Sequence, residues 1–238
     1  MKENYVNQDI LVSTDWLQAH LYDSDIRIVD CDMLESFKKV HIEGAVNINA
    51  HHYVKHPNYA TDPKGYPWVA EPMIVKELFE NMGIRNSTTV VSYDSNGGLW
   101  AARFWWVLNY YGHVKSKVLN GGWKKWFEEQ RPISINVDKY NSSDFNPVVQ
   151  QEFICTLDTA IGKVGNNNSI FIDTRSDQEW NGINDRGNAR RGRIPGSVHI
   201  EWTEFLENDT YQTFKSQNEI LSILKSQGVI PEKEIITY

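Results

Sequence analysis

The sequence predicts two tandem α/β domains, each a parallel sheet flanked by helices, and three observations carry that prediction. The same blocks of residues occur twice, in the same order, along a chain of 238 residues. Each set holds short apolar runs rich in branched residues, separated by helical stretches, the pattern of strands covered on both faces. Between the sets lies a polar stretch, residues 134–151, carrying Asn141-Ser142-Ser143-Asp144, which reads as a linker. The boundaries drawn this way are 5–135 for the first domain and 150–238 for the second.

Taken in order, each half opens with a helix signal. Ser13 is placed to cap a helix carrying Trp16, Leu17, Ala19 and Leu21, and Thr156 to cap one from Leu157 to Ile161. The first strand of each half is an apolar run ending in aspartate, Ile26 to Val29 before Asp30 and Ile170 to Ile172 before Asp173. Next comes Val40-His41-Ile42-Glu43-Gly44-Ala45-Val46-Asn47-Ile48, answered by Gly192-Arg193-Ile194-Pro195-Gly196-Ser197-Val198-His199-Ile200. The third pair is Met82-Gly83-Ile84 with the strand Val90 to Tyr93, against Gln227-Gly228-Val229 with Ile235-Ile236-Thr237-Tyr238. Tyr238 therefore answers Tyr93. The first half continues through Asp94-Ser95-Asn96-Gly97-Gly98-Leu99-Trp100 to a further strand, Lys117 to Leu119, whereas the 238 residues stop at Tyr238.

Composition narrows the class. Hydrophobic residues are 40% and aromatic residues 12%, enough for two cores. A mean hydropathy of -0.52 and the lack of any apolar run near the roughly 20 residues of a spanning helix argue against a membrane protein. The opening Met1-Lys2-Glu3-Asn4-Tyr5 has no apolar stretch of the kind a signal peptide carries, so a cytoplasmic location is expected. A net charge of -7 disfavours nucleic acid and anionic membranes as partners. The two cysteines, Cys31 and Cys155, form neither a disulfide framework nor a metal cluster, and each is expected to be a small buried side chain.

The paired blocks resemble the rhodanese family. The carriers are Val29-Asp30, His41-Ile42-Glu43-Gly44-Ala45, the segment from Val90 through Ala101-Ala102-Arg103-Phe104-Trp105-Trp106 to Tyr111-Gly112-His113, and Asn120-Gly121-Gly122-Trp123-Lys124-Lys125-Trp126. In the second half they are Asp173-Thr174-Arg175-Ser176, Glu179-Trp180, Gly182 and Arg193-Ile194-Pro195-Gly196-Ser197. The doubled order resembles the two-domain members. The resemblance implies transfer of a sulfane sulfur from thiosulfate, or from mercaptopyruvate in a sister group, to cyanide or another thiophile, with the site in the cleft between two similar domains. It implies no metal and no cofactor, a small anionic sulfur donor and a thiophilic acceptor as partners, and it leaves both the donor and the oligomeric state open.

Such chemistry needs a thiolate that takes the sulfur and holds it as a persulfide, in a loop whose amides and following helix N-terminus lower the thiol pKa. The resemblance places that cysteine directly after Tyr238, outside the 238 residues. The second domain is thus expected to be incomplete, and the 238-residue polypeptide inactive. The first half holds Asp94 at this place, and a carboxylate cannot carry a persulfide, so its loop, with Arg103 on the helix behind it, is expected to be a degenerate copy. Leu99 and Trp100 are expected to wall the cleft. Arg186, Arg190, Arg191 and Arg193 form a local basic patch suited to an oxyanion or carboxylate. Arg186 and Arg193 are the substrate candidates; Arg190 and Arg191 are expected to be solvated.

Two departures from the family pattern bear on that. Some members carry a substrate arginine where Glu179 stands, and Arg193 replaces the histidine usual before Ile-Pro-Gly. Asp173, Arg175 and Glu179 read as a structural set of paired charges near the site. Cys31, at a strand end, is within conceivable reach but lacks an amide cradle, and Cys155 precedes the first helix of its domain. Two other functions stay open: a non-catalytic rhodanese module that binds partners, and a cysteine-dependent phosphatase with a larger loop.

Overall fold

A computed structural model describes residues 9–50, 54–55 and 69–238; the expected boundary at residue 5 lies outside them. The chain forms two compact units. One spans the described residues up to 151 together with 209–213, and the other spans 152–208 and 214–238.

In the first unit the elements are β1 (Leu11–Val12), α1 (Thr14–Ala19), β2 (Ile26–Asp30), α2 (Leu34–Phe37), β3 (His41–Ile42), β4 (Val46–Asn47), α3 (Pro72–Asn81), β5 (Thr89–Tyr93), α4 (Leu99–Tyr110), β6 (Ser116–Leu119), α5 (Gly122–Glu128) and β7 (Ile133–Ser134). Strands β1, β6, β5, β2 and β4 lie side by side in that order, all parallel, and β3 pairs antiparallel with β7. The central strands are buried on both faces, which is why they read as continuous apolar runs. Ser13 caps α1, its hydroxyl accepting the Trp16 amide at 3.1 Å, and Leu17 anchors the helix in the core.

The polar stretch after β7 is not a loose tether. Phe145 is fully buried, edge-on to Phe79 at 5.0 Å, and the backbone around it is fastened by Ser143 N–H to Glu80 O, Val148 N–H to Tyr111 O and Gln150 N–H to Tyr110 O. Tyr140 lies against the Arg27 guanidinium, 3.2 Å from ring centroid to Cζ, and donates its hydroxyl to Gly44 O. The linker reading is corrected accordingly: one buried phenylalanine turns an otherwise polar run into a strap on the first unit.

The second unit contains α6 (Leu157–Lys163), β8 (Ser169–Asp173), α7 (Asp177–Trp180), β9 (Val198–His199), α8 (Gln217–Ser226) and β10 (Glu234–Thr237). Strands β10, β8 and β9 form a parallel sheet in that order, with Ile235 opposite Ile170 and Ile172 opposite Val198. Its core is small: Ile170, Ile172, Ile200 and Val229, with Val198, Phe205, Ile223 and Leu224 packed against it. Thr156 caps α6 as expected, but Leu157 and Ile161 on that helix are exposed.

Candidate functional site

The repeat in the sequence becomes a repeat in hydrogen bonding at the tips of β5 and β10. Ile42 N–H donates to the Tyr93 hydroxyl at 3.1 Å, and Ile194 N–H donates to the Tyr238 hydroxyl at 3.1 Å. Cys31 N–H donates to Tyr93 O at 2.9 Å, and Thr174 N–H to Tyr238 O at 3.0 Å. Ile48 N–H reaches Asp30 O as Ile200 N–H reaches Asp173 O. In each unit, then, the tyrosine at the strand's C-terminal tip is held at both its hydroxyl and its backbone carbonyl by N–H groups of the same two neighbouring segments.

In the first unit that position is Asp94, 2% exposed. Its carboxylate fills the loop that follows: Oδ1 accepts the amides of Asn96 and Gly98, both at 2.8 Å, and Oδ2 those of Trp100 and Ala101 at 2.7 and 2.9 Å. Gly97 and Gly98, at φ of +64° and +86°, turn these amides inward ahead of α4. Gly122 explains the paired glycines before α5: a Cβ there would stand 2.2 Å from Asp94 O, so only glycine lets that backbone pass. Leu99 and Trp100 open α4, Leu99 exposed and Trp100 partly so, with Arg103 one turn on and partly buried.

Acidic groups gather around this loop. Asp32 accepts the Ser95 amide and hydroxyl at 3.1 Å, and Asp30 accepts the Tyr93 hydroxyl at 2.6 Å. Burial, reinforced by Asp32 and Asp94, pushes the Asp30 carboxyl up to about 7 although the Tyr93 hydrogen bond opposes it. Cys31 sits between these carboxylates at 1% exposure, and burial with the adjacent acids pushes its thiol well above the ordinary range. Reach from solvent, left open by its position at a strand end, is thereby excluded. Cys155 departs from expectation the other way: it is exposed, because the helix it precedes buries nothing.

The second unit has arginine where the first has Asp32. Arg175 pairs with Asp173 through Nε at 2.9 Å and Nη2 at 2.5 Å, and donates to Gly192 O at 3.0 Å. Burial works against the Asp173 carboxylate, but Arg175 outweighs it and holds the group below the usual range. Glu179 completes a capping box with Ser176 and meets Arg186 Nε at 3.1 Å. Arg186 itself is exposed and sits at φ of +49°. Arg191 pairs with Asp185 at 3.2 Å, and Arg190 is exposed. Arg193 lies with its Cζ 4.0 Å from the centroid of the Trp180 ring, which in turn stacks on His199 at 4.8 Å. This Arg193, Trp180 and His199 stack was not legible in the sequence, because its members come from three separate segments.

A doubled parallel α/β unit with a cradled loop at the tip of one strand defines the class, and comparison with known families agrees. The chain belongs to the rhodanese-like family: the Rhodanese-like domain matches residues 13–129 and again 156–238. Among curated proteins it is 32% identical to the sulfur carrier protein TtuD of Thermus thermophilus, over 98% of this chain and 83% of that one. It is 28% identical to a thiosulfate sulfurtransferase of Azotobacter vinelandii, over 99% and 84%. Among solved structures, SseA from Escherichia coli, described with the 3-mercaptopyruvate sulfotransferases, superposes with a TM-score of 0.80 at 25% identity, covering 95% of this chain and 87% of that one. Among the described residues no helix is long and apolar enough to cross a membrane.

Proposed function

We propose that this protein is a two-domain sulfurtransferase that moves a sulfane sulfur from thiosulfate, or from mercaptopyruvate, to a thiophilic acceptor such as cyanide, and that the chemistry belongs to the tip of β10. The observation that carries this reading is the shared latch: Tyr238 is held by Ile194 and Thr174 as Tyr93 is held by Ile42 and Cys31. The residue after Tyr93 sits in an amide cradle that satisfies an anion with four N–H groups. A cysteine at the matching place after Tyr238 would be a stabilised thiolate. It attacks the outer sulfur of thiosulfate, the S–S bond breaks, and sulfite leaves with the bonding electrons. Cyanide then takes the sulfur from the persulfide as thiocyanate and returns the thiolate.

Arg186 and Arg193 are the groups on the second unit that would take the donor's anionic end. Asp94 leaves the first unit without a nucleophile, and the acidic side chains of Asp32 and Asp94 at that tip disfavour an anionic donor. A thiosulfate:cyanide assay tests the assignment. The 238-residue polypeptide should release no thiocyanate above its Cys31→Ser, Cys155→Ser double variant, and one carrying a cysteine, a six-residue loop and the helix that closes the cradle directly after Tyr238 should turn over. Turnover by the 238 residues that vanishes with Cys31→Ser would move the chemistry to the first unit.

A further inference from the structure

Five arginines lie between Asp173 and Ile194, and the structure separates them by what their guanidinium groups already hold. Arg175 is occupied on both edges, by Asp173 and by Gly192 O. Arg186 is drawn to Glu179, whose other oxygen accepts the Ser176 amide and hydroxyl. Arg191 is drawn to Asp185 and to Gly182 O. Arg190 is exposed and has no hydrogen-bond or ion-pair partner among the described residues.

Arg193 is different in kind. Among the described residues its N–H groups have no hydrogen-bond or ion-pair partner, yet the side chain has a fixed platform, lying 4.0 Å over the Trp180 ring. A guanidinium stacked on an indole gives up its face and keeps its edge, the part that binds an oxyanion with paired N–H donors. The platform is itself held: Trp180 ends α7, whose capping box is complete, and its ring stacks within 5° of the His199 imidazole, whose Nε2–H donates to Arg175 O at 2.8 Å. The backbone on either side of Arg193 is also fixed, Gly192 O by Arg175 and Ile194 N–H by the Tyr238 hydroxyl. The second of these ties the Arg193 segment to Tyr238, the residue that follows β10.

Resting on the sulfur-donor reading above, we propose that Arg193 is the principal specificity residue for the anionic end of the donor, and that Trp180 is its positioning residue. Arg186 contributes second, after release from Glu179. The ligand class is a small oxyanion of tetrahedral or carboxylate shape, bound by the guanidinium edge. Ordering a long side chain in advance reduces the entropy lost on binding, which favours the stacked arginine over Arg190 at equal charge.

The test is equilibrium dialysis of radiolabelled thiosulfate against the 238-residue chain, at low and at moderate salt, with melting temperature followed for every variant. Arg193→Ala should weaken binding by about 10-fold or more, Arg186→Ala by less, and Arg190→Ala by under about 2-fold. Trp180→Leu should weaken binding several-fold, and Trp180→Phe, which keeps an aromatic face, should restore most of it; a purely structural tryptophan would change melting without this split. Arg193→Lys should recover only part, because a point charge lacks the paired edge. Thiosulfate binding that survives Arg193→Ala would overturn this assignment alone. An equal, salt-sensitive loss in the Arg190 and Arg193 variants would overturn it in favour of general attraction. A wild-type chain that takes up no thiosulfate would sink the donor reading and this assignment with it.

Discussion

Asp30 and Asp173 occupy the same place in the two units and live in opposite electrostatic worlds. Both end a parallel strand, and both accept the backbone amide of the residue two further on, Asp32 at 2.8 Å and Arg175 at 3.1 Å. In the first unit that next residue is an acid, and burial leaves Asp30 holding a proton up to about pH 7. In the second it is an arginine that folds back onto Asp173 and keeps it ionised. One backbone pattern thus serves two electrostatic settings, chosen by a single side chain. The first unit ends its strands in a cluster of carboxylates around a loop already filled by Asp94. The second ends them among arginines. The backbone pattern is repeated while the side chains and charges set on it are not.

The cores differ as much as the charges. Phe37, Phe79, Phe104, Phe145 and Trp126 are all fully or almost fully buried in the first unit, whereas the second is centred on Ile170, Ile172, Ile200 and Val229. Two unfolding transitions are therefore expected in the full chain, the second unit melting first. Phe145→Ala should break this comparison most strongly. Removing a fully buried ring that meets Phe79 and holds the strap should cost about 3–5 kcal/mol. Only the later transition should move. Scanning calorimetry checks this, and a Phe145→Ala chain whose earlier transition falls instead would show that the strap does not belong to the first unit.

The doubled sheet was legible because strands buried on both faces leave long apolar runs, and the latch tyrosines because each ends such a run at a fixed offset from a glycine, Gly83 and Gly228. Asp94 was legible as a non-nucleophile from its chemistry alone. That its carboxylate fills four amides needed the backbone angles of Gly97 and Gly98, which a sequence does not show. Phe145 was hidden by its polar neighbours, and Cys155 by the general tendency of free cysteines to be buried, which a helix that buries none of its residues does not impose. The stack on Trp180 depends on how the loop from Gly182 to Arg193 folds back, and no periodicity marks that.

The paired aspartates give the two units opposite dependences on pH. Asp30 has a folded-state value of about 7 against an ordinary carboxylate value of 3.8, so between these the folded chain binds a proton that the unfolded chain does not. Its contribution is complete below about pH 4 and is lost as pH rises through about 7, up to about 4 kcal/mol in all. Asp173 has the opposite sign: its pairing with Arg175 helps the second unit above the ordinary carboxylate range and is lost as pH falls. Amide exchange on the full chain should therefore show the first unit loosening from about pH 4 to about 7 and levelling off above that, and Asp30→Asn should flatten that slope. Carboxyl NMR would sharpen the contrast, and an Asp30 resonance titrating near 4 would remove it.

The smallest expected effect compares two helix caps. Ser13 and Thr156 make the same bond, each side-chain oxygen accepting the amide three residues on, at 3.1 and 3.3 Å. The helices behind them differ: α1 is anchored by buried Leu17 and Thr14, while α6 buries none of its residues. A cap lowers the free energy of the folded state only as far as its helix is coupled to the rest of the fold. Ser13→Ala should therefore cost the first unit about 1 kcal/mol, within the range for a lost N-cap. Thr156→Ala should cost less than about half of that, because α6 can fray without exposing core. Denaturant titration of both variants measures the difference. Equal losses would mean that α6 is coupled to the second unit through groups other than buried side chains, with its backbone bonds carrying the coupling.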